Sequence, residues 1–301
     1  MVLPTTFNTS SKSKKVSSLG KNQRTIGDVI TISGLGLFTG QKVEMTLRPA
    51  AENTGICFQR VDLKDKPILP AQVQYVCGTP RCTVLGKGQV VVQTVEHVLA
   101  ALKAYEIDNL LIEINGAEVP IGDGSATPFV ELIEKAGITY QKSFKKFYHL
   151  SAPVFWSQGD VHLVALPSDE FRISYTLNYP NSEILRAQFH TVSISEENFK
   201  AEIAPCRTFS LYEETVPFIE QGLIKGGSLE NAVIIKGGAI LNPEGLRFPD
   251  EMVRHKILDL LGDLSLVGLS FFAHIIAIRS GHFSNTAFSK ELFNHIMMEN
   301  A

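Results

Sequence analysis

At 301 residues the chain has room for about two domains, taking roughly 150 residues for each. Its 44% hydrophobic and 20% charged residues are those of a soluble globular protein, which excludes disordered, collagen-like and disulfide-scaffold classes. Twenty-eight Lys and Arg against 31 Asp and Glu give a net charge of −3, too little positive field to hold a nucleic-acid backbone, so no nucleic-acid partner is expected.

The first 20 residues are rich in Ser, Thr and Lys and carry neither an acidic residue nor an apolar core, so a disordered extension is expected and a secretory signal is not. From Thr25 short apolar runs alternate with turn residues, predicting strands in TISGLGLFTG (31–40) and KVEMTLRPA (42–50). The four cysteines, Cys57, Cys77, Cys82 and Cys206, form no C-x-x-C pair, which predicts reduced thiols in a cytosolic compartment and no cysteine-held zinc. Thr94 is placed to cap a helix over 95–105, with Val95, Val98, Leu99 and Leu102 at helical spacing. A strand follows at 109–114, then a Gly-rich turn running into a helix that ends at Gly137. The basic stretch KSFKKF (142–147) marks a boundary between an N-terminal domain, 21–146, and a C-terminal domain, 147–301.

The second half predicts strands at 161–167 and 171–177, a helix and loop over 211–227, a strand at 231–237, a helix at 252–264 and a strand at 271–278. The run Leu264 to Ile278 is broken by Ser265, Ser270 and His274 and is shorter than the ~20 apolar residues of a membrane span. In both halves a His-bearing helix precedes an apolar strand, which points to an internal duplication. The expected fold class is α+β: two similar halves, each a sheet covered by helices, packed with a cleft between them.

Chemistry concentrates on helix 252–264. Val253, Ile257, Leu260, Leu261 and Leu264 share one stripe, while His255, Asp259 and Asp263 share the opposite one. His and Asp at i and i+4 can reach one metal ion, although H-x-x-x-D alone is a common pattern. Near the start of helix 95–105, His97 supplies a third ligand and Glu96 a base beside bound water. Two His and one carboxylate, with water completing the set, is the open geometry of catalytic zinc and suggests metal-assisted hydrolysis of an amide or ester. His282, in RSGHFSN (279–285), is the candidate proton donor, with Asp263 orienting its ring. His149, His162, His190, His274 and His295 show no partner pattern and are read as structural.

TVEHVLAAL, PIGDGSATPFV, CRTF, GGSLENAVI, RFPDEMVRHKILDLLGDL and SGH, in this order, resemble the zinc-dependent UDP-3-O-acyl-N-acetylglucosamine deacetylases over about residues 21–295. The resemblance implies two β-α-α-β domains with helices between the sheets and the active site at their interface. It implies one zinc ion per chain on His97, His255 and Asp259, Glu96 as general base, and His282 as general acid with Asp263 as its partner. Thr208 matches the residue that contacts the developing oxyanion, and Phe209 belongs to the same R-T-F segment. Lys256 and Arg279 match basic positions around the sugar and diphosphate, where the family often has Lys in place of Arg279. The segment after R-T-F supplies Leu211, Phe218, Leu223 and Ile224 for the acyl passage.

Two positions are set apart from the common pattern: Phe38 stands where many relatives have a histidine in G-x-G-x-H, and Cys82, in the R-C-T run, matches a position near the metal where some relatives have a cysteine and is read as a buried inert thiol in preference to a metal ligand of an inhibited form. The implied activity is removal of the N-acetyl group from a UDP-linked 3-O-acyl-glucosamine, the committed step of lipid A synthesis. A cytoplasmic monomer with transient contact at the inner membrane face is expected. The alternatives are a catalytically silent sugar-nucleotide-binding or interaction protein on the same scaffold, and hydrolysis of a different amide by the same metal site.

Overall fold

The computed structural model describes residues 16–17, 20–180 and 182–299. In the strand Lys42–Pro49 the side chains of Val43, Met45 and Leu47 are buried while Lys42 and Glu44 face water, the period of two that a half-buried strand requires. It pairs antiparallel with Ile30–Leu35 on one side and with Leu110–Ile114 on the other. Ile56–Arg60, parallel to Leu110–Ile114, and Ile68–Pro70 complete a five-stranded sheet. Ile112 sits opposite both Leu47 and Phe58, so one apolar row crosses its middle. A three-stranded meander ending at Val90–Gln93 leads into helix α1 (Glu96–Ala104), and helix α2 (Thr127–Ala136) packs on α1 and ends at Gly137, whose φ of 70° suits a residue without a side chain.

The second half repeats this plan on a seven-stranded sheet. Its order is Val16–Ser17, Phe147–His149, Ser270–Ile278, Val161–Leu166 and Val154–Gln158, and Phe171–Leu177 runs parallel to Ser270–Ile278 with Gln188–Ser193 beyond it. A single turn, α3 (Glu196–Asn198), and helix α4 (Tyr212–Glu220) precede the two covering helices, α5 (Glu251–Ser265) and α6 (His282–Glu299). Ala273, Ile275 and Ala277 are buried on one face of the central strand. α5 packs over Phe171–Leu177, and α6 over Val154–Gln158 and Val161–Leu166. In each half a helix, a strand and a second helix follow in sequence: α1, Leu110–Ile114, α2, and α5, Ser270–Ile278, α6. The α+β class and the placement of helices between the sheets are as expected, with α1 and α5 packed against each other where the halves meet.

Three local expectations are corrected. The sequence reading has no element after the strand at 271–278, yet α6 runs for 18 residues. Its apolar residues Phe288, Leu292 and Ile296 recur every four positions, but Ser284, Asn285, Thr286 and Ser289 are buried beside them and blur the stripe. Thr94 does not cap α1; its φ is 59° and its hydroxyl donates to Glu118 Oε1 at 3.1 Å. His255, Asp259 and Asp263, the polar stripe of α5, are all buried. Within the expected disordered extension, Val16–Ser17 form a strand antiparallel to Phe147–Tyr148, and residues 1–15, 18 and 19 lie outside the described residues. No helix among the described residues is long and apolar enough to cross a membrane.

The α1–α5 contact is closest at Gly262, where an added Cβ would stand 2.1 Å from the carbonyl oxygen of Glu96. Alanine is the better helix former by about 1 kcal/mol, so in an open helix Gly262→Ala would stabilise. Here the helices must separate, and overpacking of this kind costs about 1–3 kcal/mol. Gly262→Ala is therefore expected to lower the unfolding free energy, as urea denaturation would show; an unchanged or higher midpoint would mean that the helices can part freely.

Candidate active site

On α5, His255, Asp259 and Asp263 fall at i, i+4 and i+8 and so share one face, which looks onto the first turn of α1 and places Glu96 and His97 opposite them. His255 Nε2 lies 3.3 Å and His97 Nε2 3.7 Å from Asp259 Oδ1. Two imidazoles and one carboxylate thus offer donor atoms within 4.8 Å of one another, all on buried residues, the one such group among the described residues. Metal bonds of about 2.0–2.2 Å put neighbouring tetrahedral ligands about 3.3–3.5 Å apart, close to the spacings seen. His255 Nδ1–H donates to the Cys206 carbonyl at 3.0 Å, which fixes the tautomer and leaves Nε2 as the free lone pair. Burial pushes the His97 imidazole down and keeps it neutral, and its Nδ1 is buried with no hydrogen-bond partner. Burial acts to raise the Asp259 carboxyl, but His255 and Lys256 hold it well below the usual carboxylate range.

A second group adjoins the first. His282 Nδ1–H donates to Asp263 Oδ2 at 3.0 Å, and its Nε2 stands 3.9 Å from Glu96 Oε1. Burial raises the Glu96 carboxyl to about 7, with His282 opposing the shift. Burial alone would lower His282, yet the carboxylates of Asp263 and Glu96 carry it to about 9. A base and an acid of opposite environments therefore face each other across one cavity. Three buried carboxylates, Glu96, Asp259 and Asp263, surround one ammonium, Lys256, and one imidazolium, His282; the excess negative charge suits a divalent cation.

The cavity, of about 280 Å³, lies between the halves and is lined by Phe38, Glu96 and His97 from one and by Thr208, Asp259 and His282 from the other. Thr208 is held by its neighbours on both sides. Its N–H donates to Gly124 O at 2.8 Å, and the preceding Arg207, fully buried, is gripped by the equally buried Glu251 at the start of α5.

The sequence of this chain matches the UDP-3-O-acyl N-acetylglycosamine deacetylase (LpxC) family over residues 23–294. The chain belongs to that family. It is 49% identical over 275 residues to the UDP-3-O-acyl-N-acetylglucosamine deacetylase of Chlamydia pneumoniae, covering 91% of this chain and 98% of that protein. The enzyme of the same name from Chlamydia felis (strain Fe/C-56) is 48% identical over 278 residues, 92% of this chain and 99% of the relative. That of Chlamydia trachomatis serovar L2 (strain ATCC VR-902B / DSM 19102 / 434/Bu) is 47% identical over 281 residues, 93% and 98%.

In this deacetylase-family chain the residues singled out from sequence are gathered unevenly. Glu96, His97, His255, Asp259, Asp263 and His282 converge, and Thr208, Phe209 and Leu211 reach the site. Lys256 also lines the cavity, but its ammonium is committed to Asp259 Oδ2 at 2.7 Å. Arg279 lines a neighbouring cavity of about 400 Å³ with Lys256 and Leu211 and reaches Asp160 at 3.4 Å. Phe218, Leu223 and Ile224 are not among the residues lining either cavity; Leu223 is exposed on the turn after α4, and the Phe218 ring lies under the Arg81 guanidinium at 4.5 Å. Phe38 lines the cavity with its backbone N–H held by Glu118. Burial pushes the Cys82 thiol well above its ordinary range, so it is unreactive.

Sequence reasoning missed Thr83 and Asn285. The Thr83 N–H donates to Glu96 Oε2 at 3.0 Å and its hydroxyl to Asp263 Oδ1 at 2.5 Å, while Asn285 Nδ2 donates to Asp263 Oδ2 at 2.9 Å. No periodicity marks Thr83; its one signal was a place in the R-C-T run already singled out for Cys82. Thr83→Val would leave a buried carboxylate oxygen short of its donor, with an expected loss of about 1–3 kcal/mol in stability. Thr83→Ser, which keeps the hydroxyl, is expected to retain most of it; equal denaturation midpoints for the two variants would contradict the assignment.

Proposed function

We propose that this chain hydrolyses the N-acetyl group of UDP-3-O-(3-hydroxyacyl)-N-acetylglucosamine, giving acetate and the free amine that commits the sugar to lipid A synthesis. The observation that carries the reading is the convergence, from two helices of two halves, of a His-His-Asp donor set with a facing carboxylate and imidazole. The family's activity and the completeness of this set favour it over a silent binding protein.

His97, His255 and Asp259 would hold one zinc ion per chain. When bound, zinc supplies a Lewis acid for the acetyl carbonyl and lowers the pKa of a water beside it. Glu96, poised near neutrality by burial, takes the proton of the attacking water. His282, kept protonated by Asp263 and Glu96, first stabilises the developing oxyanion with Thr208 and then gives its proton to the leaving nitrogen. The His282 proton sits on the nitrogen that faces Glu96 and the cavity, because Asp263 engages the other one. Lys256 and Arg279, on adjoining cavities, are assigned to the sugar and diphosphate, and Phe209 and Leu211 to the start of the acyl chain. Phe218, Leu223 and Ile224 belong to this substrate assignment only as the outer course of that chain along α4.

The division into domains 21–146 and 147–301 is supported by the two larger sheets, the first drawn from residues 30–114 and the second chiefly from residues 147–278. With this reading the chain is assigned as a monomer. Three of the four free cysteines are buried, which agrees with a cytosolic enzyme, and the acyl chain of the substrate would bring it transiently to the inner membrane face.

The test is deacetylation of the purified chain's expected substrate after chelation and after restoring zinc. Activity should disappear and return, and Glu96→Ala should lose about 10²–10⁴ in kcat with zinc still bound. No turnover by the zinc-loaded chain at any acyl length would favour the silent binding scaffold.

A further inference from the structure

Glu118 is an acidic residue with almost no exposure and no role in the chemistry above. It lies just after the strand Leu110–Ile114, beside Gln93. Its carboxylate faces no Lys or Arg within ion-pair distance among the described residues; instead it accepts four hydrogen bonds. Oε1 takes the Phe38 N–H at 2.9 Å and the Thr94 hydroxyl at 3.1 Å, and Oε2 takes the Thr39 N–H at 2.8 Å and the Thr39 hydroxyl at 2.7 Å. A buried carboxylate kept by four donors is a built device, since an unsatisfied one would be costly.

The two sets of donors belong to different parts of the site. Leu37 and Phe38 line the cavity, and the same loop grips the segment after α4 through two backbone bonds, Lys225 N to Phe38 O and Gly226 N to Leu37 O. Thr94 sits in the left-handed region, φ 59°, two residues before Glu96 and three before His97. That conformation is rare for a β-branched residue and has to be held by its surroundings. The Thr94 N–H bonds to Thr83 O, and Thr83 in turn holds Glu96 and Asp263. The approach leaves no room for a side chain at Gly36, whose added Cβ would stand 2.3 Å from Glu118 Oε2.

We propose that Glu118 is a positioning residue for the deacetylation, clamping the cavity-lining loop 36–40 and the start of α1 to one carboxylate so that the mouth of the site and the Glu96–His97 pair are set together. The reading rests on the activity proposed above. Gln is no substitute here: its NH₂ would confront donors in place of an acceptor, so even the isosteric change breaks one side of the clamp. The two legs can also be cut separately. Thr94→Val removes the bond from the start of α1 together with that hydroxyl's contact with the Cys82 thiol, and Thr39→Val removes one of the loop's bonds to Glu118 together with the bond the hydroxyl accepts from the Gln41 N–H.

The experiment measures kcat, KM and bound zinc for the zinc-loaded wild type, Glu118→Gln, Thr94→Val and Thr39→Val, with amide hydrogen exchange followed in peptides covering 34–41 and 92–99. Thr94→Val should lower kcat about tenfold with KM nearly unchanged. Thr39→Val should raise KM severalfold with kcat within about twofold, and Glu118→Gln should do both and speed exchange in both peptides, at full zinc occupancy. A purely structural residue would lower the folded fraction and leave kcat and KM per zinc-loaded molecule alone, which would overturn the proposal; so would unchanged exchange in either peptide of Glu118→Gln. If Glu118→Gln does not fold, the two threonine variants decide by the same split of kcat from KM. A wild type that turns over no substrate defeats the functional reading, and the exchange data then still decide whether Glu118 couples the two segments.

Discussion

The packing of α5 on the first turn of α1, with hydrogen alone at Gly262 against the Glu96 carbonyl, sets the spacing of the donor atoms that the two helices bring together. His255, Asp259 and Asp263 stand on one helix and Glu96 and His97 on the other, so a shift of the helices by the width of a methyl group would separate the donors. Behind this contact α5 is backed by Phe171–Leu177 of the second sheet and α1 by α2. A contact at the seam between halves is thus what turns two ordinary helix faces into one centre.

Electrostatics explains why the centre is costly for the fold and useful to it. Carboxylates at Glu96, Asp259 and Asp263 lie together out of water, each satisfied differently: Asp259 by Lys256 and an imidazole, Asp263 by Thr83, Asn285 and His282, and Glu96 chiefly by the Thr83 N–H. The least compensated of them, Glu96, has the raised affinity for a proton that a base requires. Asp259, beside the Lys256 ammonium, stays charged and faces the two imidazoles. One short stretch of buried surface thereby separates a carboxylate that stays charged from one that titrates near neutrality.

How much of this was legible beforehand depended on the type of signal. The stripe of His255, Asp259 and Asp263 follows from helical geometry, and the boundaries of α2 and α5 from Gly137 and the apolar period. Which helix faces which was not legible from spacing, and the family resemblance brought His97 and His255 together before any distance did. Thr94 misled because a hydroxyl before an apolar run is the usual mark of a cap, whereas here a distant acid, Glu118, claims that hydroxyl. α6 escaped because four buried polar residues interrupt its apolar repeat, one of them, Asn285, reaching Asp263. Thr83 and Glu118 act through contacts far apart in sequence, and no local pattern encodes those. The segment after R-T-F read as an acyl passage through its apolar residues; of these Leu211 lines the cavity, while Leu223 is exposed after α4.

The most direct measurement of the account is the zinc content of the folded chain by mass spectrometry of the metal, made on the wild type, His97→Ala and Asp259→Ala after dialysis against buffered zinc. The account predicts one zinc per wild-type chain and a loss in affinity of at least roughly a hundredfold in each variant, because the ligands come from both helices and no fourth His, Cys, Asp or Glu joins their group among the described residues. A wild type that holds no zinc, or variants that hold it as tightly as the wild type, would contradict it.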